Sequence, residues 1–182
     1  VVAILPLSLT VNDYTSLKSA IEGGETEIVL GDNIILDAPL LIDEMVTVTI
    51  SGTYTISLAG TFGRGDRHFY VQGELTLADG IILDGGRIAG GVEVKDNGSF
   101  VMDGAQISDC RSEYGGGVKV MPGGFFDIID GTISGCAADG MGGGIYLYAD
   151  SDMTLSAGTI EGCSAHFGAG IYMMSDNKVT FE

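Results

Sequence analysis

Several groups of residues in this chain have types and spacings suited to chemistry. Leu41, Tyr70, Glu93, Lys119, Tyr146 and Tyr172 each sit at the centre of an apolar–X–apolar triplet, from Leu40-Leu41-Ile42 to Ile171-Tyr172-Met173. On a strand the middle residue points away from its two neighbours. The triplets therefore predict an outward row carrying Tyr70, Lys119, Tyr146 and Tyr172, with Tyr148 close by. Aromatic faces stack on sugar rings, and Lys119 or a carboxylate can bond hydroxyls, so the row is a candidate glycan-binding surface. Tyrosine is also simply a good outer strand residue. The stretch GTFGRGDRHF is the one basic island and reads as a long loop; Arg64, Asp66, Arg67 and His68 are its candidates. Asp96, Asp150, Asp152 and Asp176 follow the triplets on one edge and offer oxygens to calcium, although Asp is equally a turn former. His166 reads as a solvated turn residue. No catalytic set and no metal set stands out, and calcium is the single cofactor worth weighing.

What positions these groups is a repeat. Val92, Val118, Ile145 and Ile171 are 26, 27 and 26 residues apart, and Cys110, Cys136 and Cys163 are 26 and 27 apart. The extra residue lies after Cys136, in AADGMGG. Within a unit the apolar residues alternate, as in Val92/Val94 and Phe100/Met102. Strands this short cannot stand alone and must pair with the next copy. The chain is predicted to be all-β: a right-handed, single-stranded parallel β-helix with three short strands per coil and about six to seven coils. The expected inner stack is Leu30, Ile50, Leu77, Met102, Ile128, Leu155 and Phe181. The outward residues beside it are Val29, Thr49, Thr76, Val101, Asp127, Thr154 and Thr180. That outer face holds one acid and no base, which suits neither a lyase nor a hydrolase.

Residues 1–182 read as one domain: an N-terminal strand and capping helix over 1–26, degenerate coils over 27–89 and regular repeats over 90–182. Val1–Leu9 is apolar but short, and is expected to add an edge strand rather than span a membrane. Tyr14–Glu22 has helical spacing, with Asp13 or Thr15 as its cap and Gly23-Gly24 as its stop. The first coil is traced through Ile28–Leu30, Ile34–Leu36 and Leu40–Ile42. The second runs through Val48–Ile50, Tyr54–Ile56 and Phe69–Val71, with a loop from Ser57 to His68. The chain stops on a strand, so a downstream domain or a self-associating C-terminal end is expected to cover it.

A net charge of −17 with 8 Lys plus Arg argues against nucleic acid and against insertion into an anionic membrane. It also weighs against polyanionic substrates unless calcium bridges the charges. The 30 Gly suit tight corners, because 45% hydrophobic content keeps a core within reach. Stacked coils bring Cys110, Cys136 and Cys163 within disulfide range of one another. Packed thiols and one disulfide with a leftover thiol both fit that spacing.

The pattern GGGVxV…GxFxMxxGxISxC…GGG over 90–182 resembles the glycine-rich repeats of bacterial surface proteins, both adhesin-like proteins and those with polymorphic outer-membrane-protein-type repeats. The N-terminal layout, a short helix followed by IVLGDNIILDAPLLI and VTVTISG, looks like the pectate-lyase-like superfamily. Relatives often carry ISGN where this chain has ISDC, ISGC and IEGC. The resemblance implies an extracellular or bacterial cell-surface location, and a module that binds or displays a surface glycan or a host or cell-surface protein. It also leaves open a carbohydrate-active enzyme, a polysaccharide lyase or glycoside hydrolase, and a ligand-free stalk. Arg64-Gly65-Asp66 resembles the integrin-binding tripeptide.

Overall fold

The computed structural model describes residues 8–181. The chain opens with β1 (Leu9–Val11) and α1 (Tyr14–Glu22). The rest of the expected N-terminal strand lies outside the described residues. Asp13 caps α1 by accepting the Ser16 N–H, and the Ser16 hydroxyl returns to the Asp13 backbone, so two orphan helix donors are engaged. Leu17, Ala20 and Ile21 bury the inner face of α1 against the first coil.

Six coils follow. The first is β2 (Glu27–Leu30), β3 (Ile34–Leu36) and β4 (Leu40–Ile42); the second is β5 (Thr47–Ser51), β6 (Thr55–Leu58) and β7 (Arg67–Val71). The third is β8 (Glu74–Ala78), β9 (Ile82–Asp84) and β10 (Gly90–Val94). In the fourth, β11 (Ser99–Ser108) turns a corner and serves two sides; β12 (Arg111–Tyr114) and β13 (Val118–Val120) follow. The fifth repeats this with β14 (Phe125–Ser134), β15 (Ala137–Met141) and β16 (Ile145–Leu147). The sixth is β17 (Asp152–Leu155), β18 (Thr159–Glu161) and β19 (Ile171–Met173), and β20 (Lys178–Phe181) begins a seventh. Every pairing is parallel and joins equivalent strands of adjacent coils.

The first side stacks β1, β2, β5, β8, β11, β14, β17 and β20; the third stacks β4, β7, β10, β13, β16 and β19. Val92, Val118, Ile145 and Ile171 form the expected column. The inner stack holds from Ile50 through Leu77, Met102, Ile128 and Leu155 to Phe181. Beneath Ile50, however, lies Ile28 and not Leu30, and Glu27 rather than Val29 faces out beside Thr49. Ile28 and Leu30 both point inward, so a slip of two residues leaves the alternation intact and the sequence pattern cannot register it. The core is close-packed: the rings of Phe100 and Phe126 stack at 5.1 Å and 4°.

A fourth side goes beyond the three expected. β12 pairs with β15, and isolated bridges carry the contact on to Ser164 and Phe167. Corners recur in register. Asn97, Gly123, Asp150 and Asp176 each stand three residues after a third-side strand and adopt φ of 61°, 74°, 59° and 62°. Asn and Asp tolerate this left-handed conformation better than other non-glycine residues. Turn geometry therefore accounts for Asp150 and Asp176 of the acidic row, with Asn97 and Gly123 filling the same place in the other two coils.

Cys110, Cys136 and Cys163 are free thiols in one column, the first two fully buried. Hydrogen bonding with Cys110 raises the pKa of Cys136, and hydrogen bonding with Cys136 raises that of Cys163. They fill the corner as small, inert packing groups.

Candidate functional site

The outward row on the third side has the expected register: Leu41, Tyr70, Glu93, Lys119, Tyr146 and Tyr172 pair one after another. Its surroundings differ from expectation. Tyr146 is 4% exposed and not an open platform. Tyr172 stacks on it at 5.5 Å, Tyr148 meets it edge-on at 4.9 Å, and Tyr114 tilts against it at 5.3 Å. Its hydroxyl donates to Met174 Sδ at 3.1 Å. Tyr148 and Tyr172 are half-buried and offer the accessible part of the cluster. Desolvation, then the neighbouring tyrosines, keep the Tyr146 phenol above its ordinary pKa, so the ring stays neutral.

Arg67 and His68, expected in the basic loop, are strand residues of β7 and are buried. Their polarity hid them: a strand opening on Arg-His breaks the apolar alternation, and the loop closes instead at Asp66. All five Arg67 N–H groups have partners. Nε faces Glu93 at 3.3 Å; Nη1 donates to the Val92 and Gly115 carbonyls, and Nη2 to Ser112 Oγ and the Tyr114 carbonyl at 2.6 Å. Arg67 thus ties the second coil to the fourth. Burial lowers its pKa, and the Glu93 charge opposes that shift. His68 is fully buried, with Nδ1 3.1 Å from the Gly90 carbonyl and Nε2 3.2 Å from that of Asp84.

Glu93 is the hub of the row. Burial pushes its pKa up, but the hydrogen bond from Lys95 and the charges of Arg67 and Lys119 outweigh this and hold it ionised. Lys119 lies 3.3 Å from it. Lys95 also sits over the Tyr70 ring at 4.8 Å, and Lys119 approaches the Tyr148 ring at 5.7 Å.

The real loop, residues 59–66, crosses this face. Phe62 anchors it in the core, the Tyr70 hydroxyl donates to the Gly65 carbonyl, and Arg64 reaches Asp139 at 2.7 Å. Asp66 caps the loop by accepting the Gly63 N–H. A hollow of about 180 Å³ lies beneath, lined by Arg64, Arg67, Glu93, Ser112, Tyr114 and Lys119, with Glu113 at its edge. The two candidate groups in the sequence, tyrosine row and basic loop, thus meet at one place.

Asp139 was not singled out from sequence, yet it joins this hollow to the fourth side. Ser112 pairs with Ala138 and Tyr114 with Met141, so one residue of β12 faces two of β15. The extra residue of the fifth coil is therefore a bulge at Asp139-Gly140. One carboxylate oxygen takes Arg111, the other takes Arg64, and the Asp139 carbonyl meets His166 Nδ1. His166 is exposed, as expected of a solvated turn residue, and this carbonyl is a partner that the sequence did not name. The Arg111 hydrogen bond, ahead of the Arg64 charge, depresses the Asp139 pKa. A second hollow of about 350 Å³ opens beyond, bordered by Arg87, Arg111, Asp139 and His166 over a floor of Ala137, Ala138 and Ala165.

A family model described as the right-handed β-helix region matches residues 68–182. The chain belongs to the right-handed β-helix family. Comparison with curated proteins and with solved structures gives no match. The family fixes the hand of the coil and leaves the chemistry to individual side chains. On the first side of this β-helix the outer row is Glu27, Thr49, Thr76, Val101, Asp127, Thr154 and Thr180. Two acids separated by four coils cannot flank one bond. Among the described residues no three His, Cys, Asp or Glu side chains converge as a metal site, and no helix is long and apolar enough to cross a membrane.

Proposed function

We propose that this β-helix is an adhesin-like module of an extracellular or bacterial cell-surface protein, and that it holds a glycan without cleaving it. One observation carries the reading: the cluster of Tyr114, Tyr146, Tyr148 and Tyr172 borders directly on a polar hollow with Lys119 and Arg64 at its wall. Sugars are held by an aromatic face together with adjacent donors and acceptors, and a rigid stack of coils keeps both at fixed spacing. The surface location rests on the resemblance of the glycine-rich repeats.

The test is retention on a panel of immobilised glycans, with oligosaccharide length followed in parallel. Wild-type protein should be retained on at least one glycan and leave chain length unchanged. The double variant Tyr148→Ala, Tyr172→Ala should lose at least tenfold in retention. Undiminished retention by the double variant would remove the tyrosine cluster as the site, and shortening of the oligosaccharide would make the protein an enzyme.

A further inference from the structure

Positive charge in this chain is not scattered. It has 8 Lys plus Arg and 25 Asp plus Glu. Six of the eight, Arg64, Arg67, Arg87, Lys95, Arg111 and Lys119, belong to ion pairs on the third and fourth sides. Those pairs use three carboxylates: Glu93 meets three cations, Asp139 two and Asp109 one. The other 22 acids of the chain have two further cations, Lys18 and Lys178. Adding Glu113, which lines the smaller hollow, and Asp66, in the loop above it, still leaves six cations against five acids.

Both hollows lie along this seam. The smaller has Lys119 and Arg64; the larger has Arg87, Arg111 and His166. The Arg64–Asp139–Arg111 bridge separates them. Arg64 and Arg87 are 62% and 68% exposed, so both can turn to a ligand without unfolding anything. The acidity of the rest of the molecule does not cancel the seam. Screening confines charge effects to about 8 Å at physiological salt, so a ligand lying in the hollows responds first to the cations around it. Guanidinium groups suit carboxylate or sulfate oxygens, which they can meet with two parallel N–H donors.

We propose that the glycan held here is an anionic one. A sugar ring packs against Tyr148 and Tyr172, and carboxylate or sulfate substituents lie along the seam against Lys119, Arg64, Arg87 and Arg111. The proposal rests on the glycan reading and adds the charge of the ligand and a second subsite, the hollow on the fourth side.

Titration calorimetry with matched oligosaccharides tests it. One pair is a uronate oligosaccharide and its carboxyl-reduced form; the other is a sulfated oligosaccharide and its desulfated form. At least one charged member should bind ten times more tightly than its neutral counterpart, and the advantage should shrink as salt is raised. Arg64→Gln with Arg87→Gln should remove most of the advantage, and Arg87→Gln alone, which lies outside the tyrosine site, should remove part of it while leaving the binding of the neutral member unchanged. Equal affinity for charged and neutral members would overturn the anionic assignment and leave the tyrosine site standing. An advantage that survives the double variant would overturn the seam as its source. No binding to any of the four, nor to the wider panel, would overturn both readings.

Discussion

Tyr146 and Tyr172 stand face to face on adjacent coils, ring centroids 5.5 Å apart and planes within 4° of parallel. One ring is sealed by three others and the second is half open, so the two should answer differently to truncation. Tyr146→Ala removes a buried aromatic and should cost about 3–5 kcal/mol. Tyr172→Ala, on an open ring, should cost much less. Urea unfolding of the two variants gives the comparison, and equal losses would mean that Tyr172 is as enclosed as its neighbour.

Arg67 offers a second contrast. Replacing it by Leu leaves the Gly115 and Tyr114 carbonyls to share the single Ser112 hydroxyl donor and leaves Glu93 with Lys95 and Lys119, all in low dielectric. The loss should be about 3–5 kcal/mol. Because the side chain spans two coils, amide exchange should quicken around residues 112–115 in addition to β7. A variant as stable as wild type, with unchanged exchange there, would show that the clamp contributes nothing.

His68 should make stability depend on pH. Burial lowers its pKa from 6.5 to about 4, against the pull of the Gly90 and Asp84 carbonyls. The folded state thus favours the neutral ring, whereas the unfolded chain protonates it near 6.5. Stability from this residue is complete above pH 6.5 and drains away as pH falls toward 4, by about 3 kcal/mol. Carboxylates lose stability over the lower part of that range too, so the measurement is a difference. Wild type minus His68→Gln, followed by urea unfolding from pH 7.5 to 4, should fall by that amount, and a flat difference would refute the account.

Glycines divide into two kinds. A Cβ on Gly143 would sit 2.4 Å from the Ala169 carbonyl oxygen and 2.5 Å from that of Ser164, in the backbone of the next coil. One on Gly60 would meet nothing within 4 Å. Gly143→Ala should therefore lower the melting temperature by roughly 10 °C or prevent folding, and Gly60→Ala should shift it by about 2 °C or less. Similar melting for both would mean that coil spacing is looser than the structure has it.

The parts of this molecule that were legible in its sequence are those where alternation and length repeat together. The column from Val92 to Ile171, the helix Tyr14–Glu22 and the outward row from Leu41 to Tyr172 follow from period two within strands and period 26 or 27 between them. Three things did not follow. Alternation is blind to a slip of two, which hid Ile28 beneath Ile50. A strand that starts with Arg and His carries no apolar signal, which left Arg67 and His68 in a loop. The fourth side is written in RSEY and AADGM, whose buried members are as small as Ser112 and Ala138, so its inward face has no hydrophobic signature.

The bulge at Asp139-Gly140 shows how such a chain can acquire new surface chemistry. On either side of it Ile133 stays over Ile160, and Ile145 over Ile171, undisturbed by the added residue. A change in length at a corner is absorbed within a few residues, while the stacked walls go on as before. Single-codon insertions at these corners are thus cheap experiments for evolution. Each can swing a side chain outward, where it can gather partners as Asp139 gathers Arg64 and Arg111, without reopening the question of how the protein folds.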